Sequence, residues 1–301
     1  MKEIYEIFRR NFPTIVRRTS TVEALISDKD NKIFEKRNKK GKLIGVAIVN
    51  KCTIYLLCVD KRYRNQGIGE DLLNKCEEYI KQSGYDKVVV GVGNSYLTPG
   101  VPTSVMPYVE NLKPHKLFKK IDNTAVEFFK KRGYIHSWGE FNCFDMYQKL
   151  RTYTPRGYHI GDTIKGIKYE WAKPSDLQEI IECVTDAKES FVRHYKREKL
   201  YDENSKNRVI VAKDGDKVVG AVIVNFGTDG HKMGTLGCTA VKHSHRGNKI
   251  ASIMCDMATA YFKQNKLKDA FLSYTFTGLD VLYGYSNYKI CIYYFMAQKD
   301  L

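Results

Sequence analysis

The chain has 301 residues and a mass of 34.7 kDa, enough for two ordinary domains of roughly 150 residues that each bury a core. Apolar residues make up 43% and charged residues 28%, and no run approaches the roughly 18 to 20 apolar residues of a membrane-spanning helix, which excludes a membrane protein and a long disordered chain. The net charge is +16, divided as +10 over residues 1–150 and +6 over residues 151–301, so the expected partners are polyanionic: nucleic acid, an anionic surface or a phosphate-rich small cofactor.

The opening segment MKEIYEIFRRNF is charged throughout and has no apolar signal core, which predicts a cytoplasmic protein. It reads as a helix, as does TVEALISD. KIFEKRNKKGKLIGVAIV then predicts two strands around a polar, glycine-bearing turn, and TIYLLCV a third. A loop leads into a helix whose apolar residues Ile68, Leu72, Leu73, Cys76 and Ile80 recur at spacings of three and four. After the strand DKVVVGVG comes a long insertion over residues 94–120, which contains Tyr96, Pro99, Pro102 and Tyr108 and is a candidate substrate-shaping lid. Its basic cluster, Lys113, Lys116, Lys119 and Lys120 around Phe118, fits one face of a short helix. The helix NTAVEFFKKRGY and a closing strand in FNCFDMYQKL complete the half. The Pro-, Gly- and Thr-rich RTYTPRGYHIGDT sets the boundary between domains 1–150 and 151–301.

The second half repeats this order of elements. A helix begins after Pro174 with Ser175 as the expected N-cap. RVIVAKDGDKVVGAVIV is the hairpin, MGTLGCTAV the third strand, and Ile250, Ile253, Met254, Met257 and Ala258 mark the apolar face of the next helix. KDAFLSYTF, TGLDVLYGYSNY and KICIYYFMAQ follow as strand, helix and closing strand. The eight cysteines form no C-x-x-C pair and read as reduced thiols. His243 and His245 have no evident further ligands, so no metal is expected.

Two loops carry the chemistry. Arg64-Asn65-Gln66-Gly67-Ile68-Gly69 lies between a strand and a helix, where successive N–H groups and the helix dipole favour an anion. Phosphate is the expected ligand: the glycines permit close approach, and Arg64 can position the loop or add a charge-assisted contact. The loop lacks both the nucleoside triphosphate P-loop pattern and the dinucleotide G-x-G-x-x-G. The second half has Arg246-Gly247-Asn248-Lys249-Ile250-Ala251 in the same place. A lysine there with ordinary helical dihedrals still offers its N–H, and its ammonium can add to phosphate binding.

With these loops the chain resembles the GNAT acetyltransferase superfamily in a tandem, two-domain form. Arg64, Gly67 and Gly69 match its [Q/R]-x-x-G-x-[G/A] signature; Arg246 and Ala251 match in the second copy, with Lys249 in place of the first glycine. Its A-x-x-x-Y-x-x-x-G-[F/Y] segment is matched by Ala125, Gly133 and Tyr134, with Phe129 at the tyrosine, and by Tyr283 and Tyr288, with Asn287 at the glycine. The resemblance implies an α/β (α+β) fold of two GNAT-like domains, each a mixed, mostly antiparallel sheet flanked by helices. It implies acetyl-CoA as co-substrate, with its diphosphate on the loop and its pantetheine arm along Leu57, Cys58 and Val59 or along Thr239, Ala240 and Val241. It also implies direct attack by an amine, with Tyr283 as the acid for the leaving thiolate.

The expected activity is N-acetyl transfer to a primary amine of a small molecule or protein, and the surplus positive charge suits an acidic substrate. Two other readings stand beside it: an acyl-CoA-binding module without turnover, motivated by Phe129 and Lys249, and a basic nucleic-acid-binding protein, which no motif supports. Asp122, Glu127 and Asp280 lie on or near the late helices, where capping or exposure is the ordinary role. Neither a general base nor the oligomeric state is legible.

Overall fold

The charged N-terminal segment folds as helix α1 (Lys2–Asn11), which buries Ile4, Ile7 and Phe8 and is followed by α2 (Thr19–Ser27). The computed structural model describes residues 2–13, 15, 19–91, 97–107, 121–228 and 231–301. β1 (Lys32–Arg37) and β2 (Leu43–Asn50) form the expected hairpin, to which β3 (Thr53–Val59) adds antiparallel. α3 (Ile68–Gln82) buries the whole predicted apolar face in the core. β4 (Lys87–Val90), β5 (Val101–Thr103), α4 (Thr124–Lys130), β6 (Ile135–His136) and β7 (Cys143–Lys149) follow. Tyr96, Tyr108 and the basic cluster of Lys113, Lys116, Lys119 and Lys120 around Phe118 lie outside the described residues.

Continuing along the chain are β8 (Thr163–Ile164), β9 (Ile167–Trp171), α5 (Leu177–Lys188), α6 (Val192–Tyr195), β10 (Arg208–Asp214), β11 (Lys217–Thr228) and β12 (His231–Val241). α7 (Ile250–Gln264), β13 (Asp269–Phe276), α8 (Leu279–Gly284), β14 (Lys289–Phe295) and β15 (Ala297–Asp300) complete it. Ser175 is not the cap it was expected to be. Pro174–Asp176 forms a 3-10 turn in which the Lys173 N–H donates to the Asp176 carboxylate at 2.8 Å, and α5 starts after it.

The chain divides into two compact units, Met1–Phe144 with Cys291–Leu301, and Asp145–Ile290. This differs from halves cut at Leu150, because the C-terminal segment belongs to the first unit. In that unit the strand order is β1-β2-β3-β4-β15-β6, with β15 antiparallel to β4 through Gln298–Val89, Lys299–Val88 and Asp300–Lys87. In the second unit β12, β11, β10, β9 and β8 run in that order, with β13 parallel to β12. KICIYYFMAQ, expected as one closing strand, forms two: β14 pairs with β5 and β15 with β4, a division that hydrophobic patterning does not specify.

Both units share two features of the strand and helix that carry the loop. Among the described residues, β3 pairs in parallel with β4 over Thr53–Ile54 and Val89–Val90, and β12 with β13 over Met233–Thr235 and Asp269–Phe271. Leu57, Cys58 and Val59, and likewise Thr239, Ala240 and Val241, lie beyond these described ladders, at the C-terminal ends of β3 and β12. Close packing sets the helix that follows. A Cβ on Gly45 would lie 3.0 Å from Ile68 Cγ2, and one on Gly220 would lie 2.9 Å from Ile250 Cγ2, so a bare glycine in β2 and in β11 lets α3 and α7 sit against the sheet.

Candidate active site

In the first unit a cavity of ≈ 450 Å³ opens where β3 ends and α3 begins. Leu57, Cys58, Val59, Arg64, Asn65, Gly67 and Gly69 line it, all of them expected site residues. Of the remaining two in this loop, Gln66 is exposed and Ile68 is turned into the core. Pro102, from the insertion expected to form a lid, also lines the cavity.

Local geometry explains the loop. Asn65 takes φ 59° and Gly67 φ 76°, both left-handed, so the backbone curls before α3. Gly67 is the N-cap of α3 and supplies no side-chain acceptor, so the first N–H groups of the helix are left for an external partner. Arg64 is a brace: its Nε donates to Val59 O at 3.2 Å, Nη2 donates to Asn11 Oδ1 at 2.8 Å, and Nη1 pairs with Asp122. Asp122 in turn accepts from Thr124 N at 3.1 Å and Thr124 Oγ1 at 2.6 Å. Burial opposes its ionisation, but the bonds from Thr124 and Arg64 together hold its carboxyl below the ordinary range. It therefore caps and anchors.

The far wall is α4. Ala125, Phe128 and Phe129 line the cavity, and Phe129 packs edge-on against Phe128 and Tyr134. A phenyl ring offers no proton. Glu127 is exposed on α4. Cys58, 5% exposed, has its thiol pushed up to about 12 by burial, against the opposing pull of Arg64 and Arg10. It is protonated at neutral pH and is no thiolate nucleophile.

Sequence reasoning missed Arg132. Its guanidinium stacks 4.0 Å over the Phe128 ring, Nη1 donates to Phe128 O at 3.0 Å, and Nη2 lies 3.2 Å from Glu70 Oε2. Both Arg132 and Glu70 line the cavity. The available signal was the position of an arginine directly before Gly133 in the late motif.

In the second unit the loop has the same course with different side chains. Gly247 takes φ 84°, and Lys249, the N-cap of α7, takes φ 62° and ψ 10°. Lys249 thus does not have the helical dihedrals expected of it; it holds the left-handed conformation that Gly67 takes in the first unit. Arg246 Nε reaches Val241 O at 3.4 Å, as Arg64 reaches Val59 O. Asn248 Nδ2 donates to His245 O at 3.2 Å. Thr239, Val241 and Ala251 are half-buried, Ala240 and Ile250 are buried, and Arg246 through Lys249 are exposed.

Tyr283 is 7% exposed on α8, and its hydroxyl lies 3.4 Å from Thr239 Oγ1. Burial raises its pKa well above the ordinary phenol value, so it holds its proton. Asp280 accepts from Gly278 N at 3.0 Å, a local cap. His243 and His245 face separate carboxylates, Asp186 at 3.1 Å and Asp214 at 3.2 Å. No group of three or more metal-ligating side chains occurs among the described residues. All eight cysteines are free thiols, and no described helix is long and apolar enough to cross a membrane.

Residues 1–99 and 175–279 match the family model described as the acetyltransferase (GNAT) family. No curated protein sequence matches the chain. Among solved structures, a GCN5-related glucosamine N-acetyltransferase region of a fungal multi-domain GH3 β-N-acetylglucosaminidase is similar, with TM-score 0.73 and 18% identity over 99% of this chain and 36% of the other. The chain thus spans about a third of that protein's described length. A GCN5-related N-acetyltransferase from Sphaerobacter thermophilus aligns with TM-score 0.68 and 15% identity, over 99% of this chain and 91% of the other. A tandem GNAT protein from the clavulanic acid biosynthesis pathway aligns with TM-score 0.70 and 12% identity, over 99% and 94%. At these identities the likeness is one of fold.

Proposed function

The chain belongs to the acetyltransferase (GNAT) family, in tandem form, and from that premise we propose that it is an N-acetyltransferase using acetyl-CoA to acetylate a primary amine. The observation that carries this reading is the cavity at the start of α3, where no side chain caps the helix, walled on one side by Leu57, Cys58 and Val59 at the end of β3. The residues present fit the co-substrate. N–H groups at a helix start suit a diphosphate, and the polar backbone of a strand end suits an arm containing two amides. Acetyl-CoA would supply the acetyl group as a thioester. The chain's own groups would align the carbonyl along Leu57–Val59 and keep Cys58 protonated, which favours direct transfer to the amine over an acyl-cysteine intermediate. Tyr283 is the candidate proton donor in the second unit, where the Lys249 ammonium would add charge to the loop. The net charge of +16 suits an acidic acceptor.

Phe129 favours a further reading of the first unit: a cavity wall with no phenol at the place of Tyr283 binds the co-substrate without protonating a leaving group. Turnover then belongs to the second unit.

Calorimetric titration with acetyl-CoA tests the binding claim. Gly67→Glu, which sets a carboxylate in the loop, should abolish binding, while Gly67→Asn, which tolerates a left-handed backbone, should retain most of it. Unchanged binding in Gly67→Glu together with loss in Lys249→Glu would move the site to the second unit. No binding by the unaltered chain would overturn the reading.

A further inference from the structure

The two units differ in where they place positive charge around their loops. Phe129 and Tyr283 correspond, as do Tyr134 and Tyr288: Tyr134 N donates to Phe129 O at 3.2 Å and Tyr288 N to Tyr283 O at 3.3 Å, and Gly133 and Asn287, just before, both have positive φ. Arg132 therefore has Ser286 as its counterpart. Glu70, the third residue of α3, corresponds to Ser252, the third residue of α7. The first unit thus has a cation brought in from the end of α4 and a carboxylate holding it; the second has neither, and carries Lys249 on the loop itself.

Arg132 is built to reach the start of α3. A Cβ on Gly69 would lie 3.5 Å from the edge of the Phe128 ring, on which the guanidinium stacks, so one aromatic ring spaces the arginine from the loop backbone. Two of its nitrogens are held, by Phe128 O and by Glu70. Its buried Nε has no hydrogen-bond partner among the described residues. The Glu70 side chain is 54% exposed, so the ion pair is solvated on one side and open to exchange with a stronger anion. A phosphate brought to the loop carries more charge than a carboxylate and fits the planar fork as well.

We propose that Arg132 is a specificity-determining phosphate contact of the first unit, held in waiting by Glu70 and transferred from it to a phosphate group of the ligand. This rests on the reading of that cavity as an acyl-CoA site. The recognised chemistry is a phosphate, either in the diphosphate or on the ribose.

The test measures equilibrium affinity of the full chain for acetyl-CoA, for its analogue without the ribose phosphate, and for acetyl-pantetheine, which has no phosphate. Variants are Arg132→Gln, Arg132→Met, which keeps the stack on Phe128, and Glu70→Gln. Both arginine variants should bind acetyl-CoA about tenfold or more weakly with acetyl-pantetheine unaffected, and Glu70→Gln should bind acetyl-CoA more tightly at low salt. If the loss persists with the dephosphorylated analogue, the contact is to the diphosphate; if it disappears, to the ribose phosphate. Unchanged acetyl-CoA affinity in Arg132→Met, or an equal loss for acetyl-pantetheine, overturns the proposal. Failure of the unaltered chain to bind any of the three overturns the underlying site reading as well.

Discussion

The Tyr283 hydroxyl and Thr239 Oγ1 stand 3.4 Å apart, linking α8 to the strand end ahead of the second loop. The arrangement places a protonated phenol beside the backbone where a thioester would lie. Tyr283→Phe should reduce thiol release from acetyl-CoA by about 10²-fold or more, the range for loss of a positioned acid, while acetyl-CoA affinity stays within a few-fold. Because burial raises the phenol's pKa, the unaltered chain should show no alkaline loss of rate from this group between pH 7 and 9. A Tyr283→Phe variant of undiminished rate would remove the residue from the reaction.

Lys249 holds a left-handed backbone without the freedom of glycine. That conformation costs an L-residue about 1 kcal/mol. Lys249→Gly should therefore raise the second unit's unfolding free energy in urea by up to about 1 kcal/mol and weaken anion binding there, with the two effects moving in opposite directions.

His136 is fixed as a neutral ring. Phe141 O can only accept, so Nε2 donates to it at 3.0 Å, leaving Nδ1 to accept from Met296 N at 2.9 Å. Burial, with a smaller push from Lys130 against the opposing Phe141 bond, lowers the pKa. The unfolded chain therefore takes up this proton more readily, and stability should be full above the ordinary histidine pKa of roughly 6.5 and fall as pH drops through the lower folded value. Thermal melts between pH 7.5 and 5 should show this slope in the unaltered chain and a shallower one in His136→Gln.

Cys58 lines the cavity as a protonated thiol. Alkylation by iodoacetamide at pH 7.5 should be much slower at Cys58 than in a model peptide, and Cys58→Ala should keep turnover. Mass-spectrometric detection of acetylated Cys58 during turnover would contradict direct transfer.

Much of this molecule was legible in its repeats. The hairpins, the two long helices and both loops follow from periodicity and turn chemistry, because local backbone preference and burial agree there. Arg64, Asn65, Gly67 and Gly69 followed from the loop's position between strand and helix, and Leu57, Cys58 and Val59 from the resemblance to the GNAT family; all seven line the cavity. What escaped reading depended on distant partners. KICIYYFMAQ reads as one strand but forms two, and the destinations of β14 and β15 are decided by β5 and β4, far away in sequence. Arg132 looks like one more surface cation until Phe128 and Glu70 are seen around it, and Ser175 reads as a cap until Pro174 tightens the turn and Asp176 supplies the acceptor.

β15 closes the sheet of the first unit through Lys87, Val88 and Val89. A growing chain can therefore form β1 through β3 and extend to β4 early, yet the β15 side of β4 waits for Ala297–Asp300 to emerge. That delay puts completion of the first unit's sheet after synthesis of residues 145–290, the whole of the second unit. It also makes an exposed strand edge the aggregation hazard of the nascent chain.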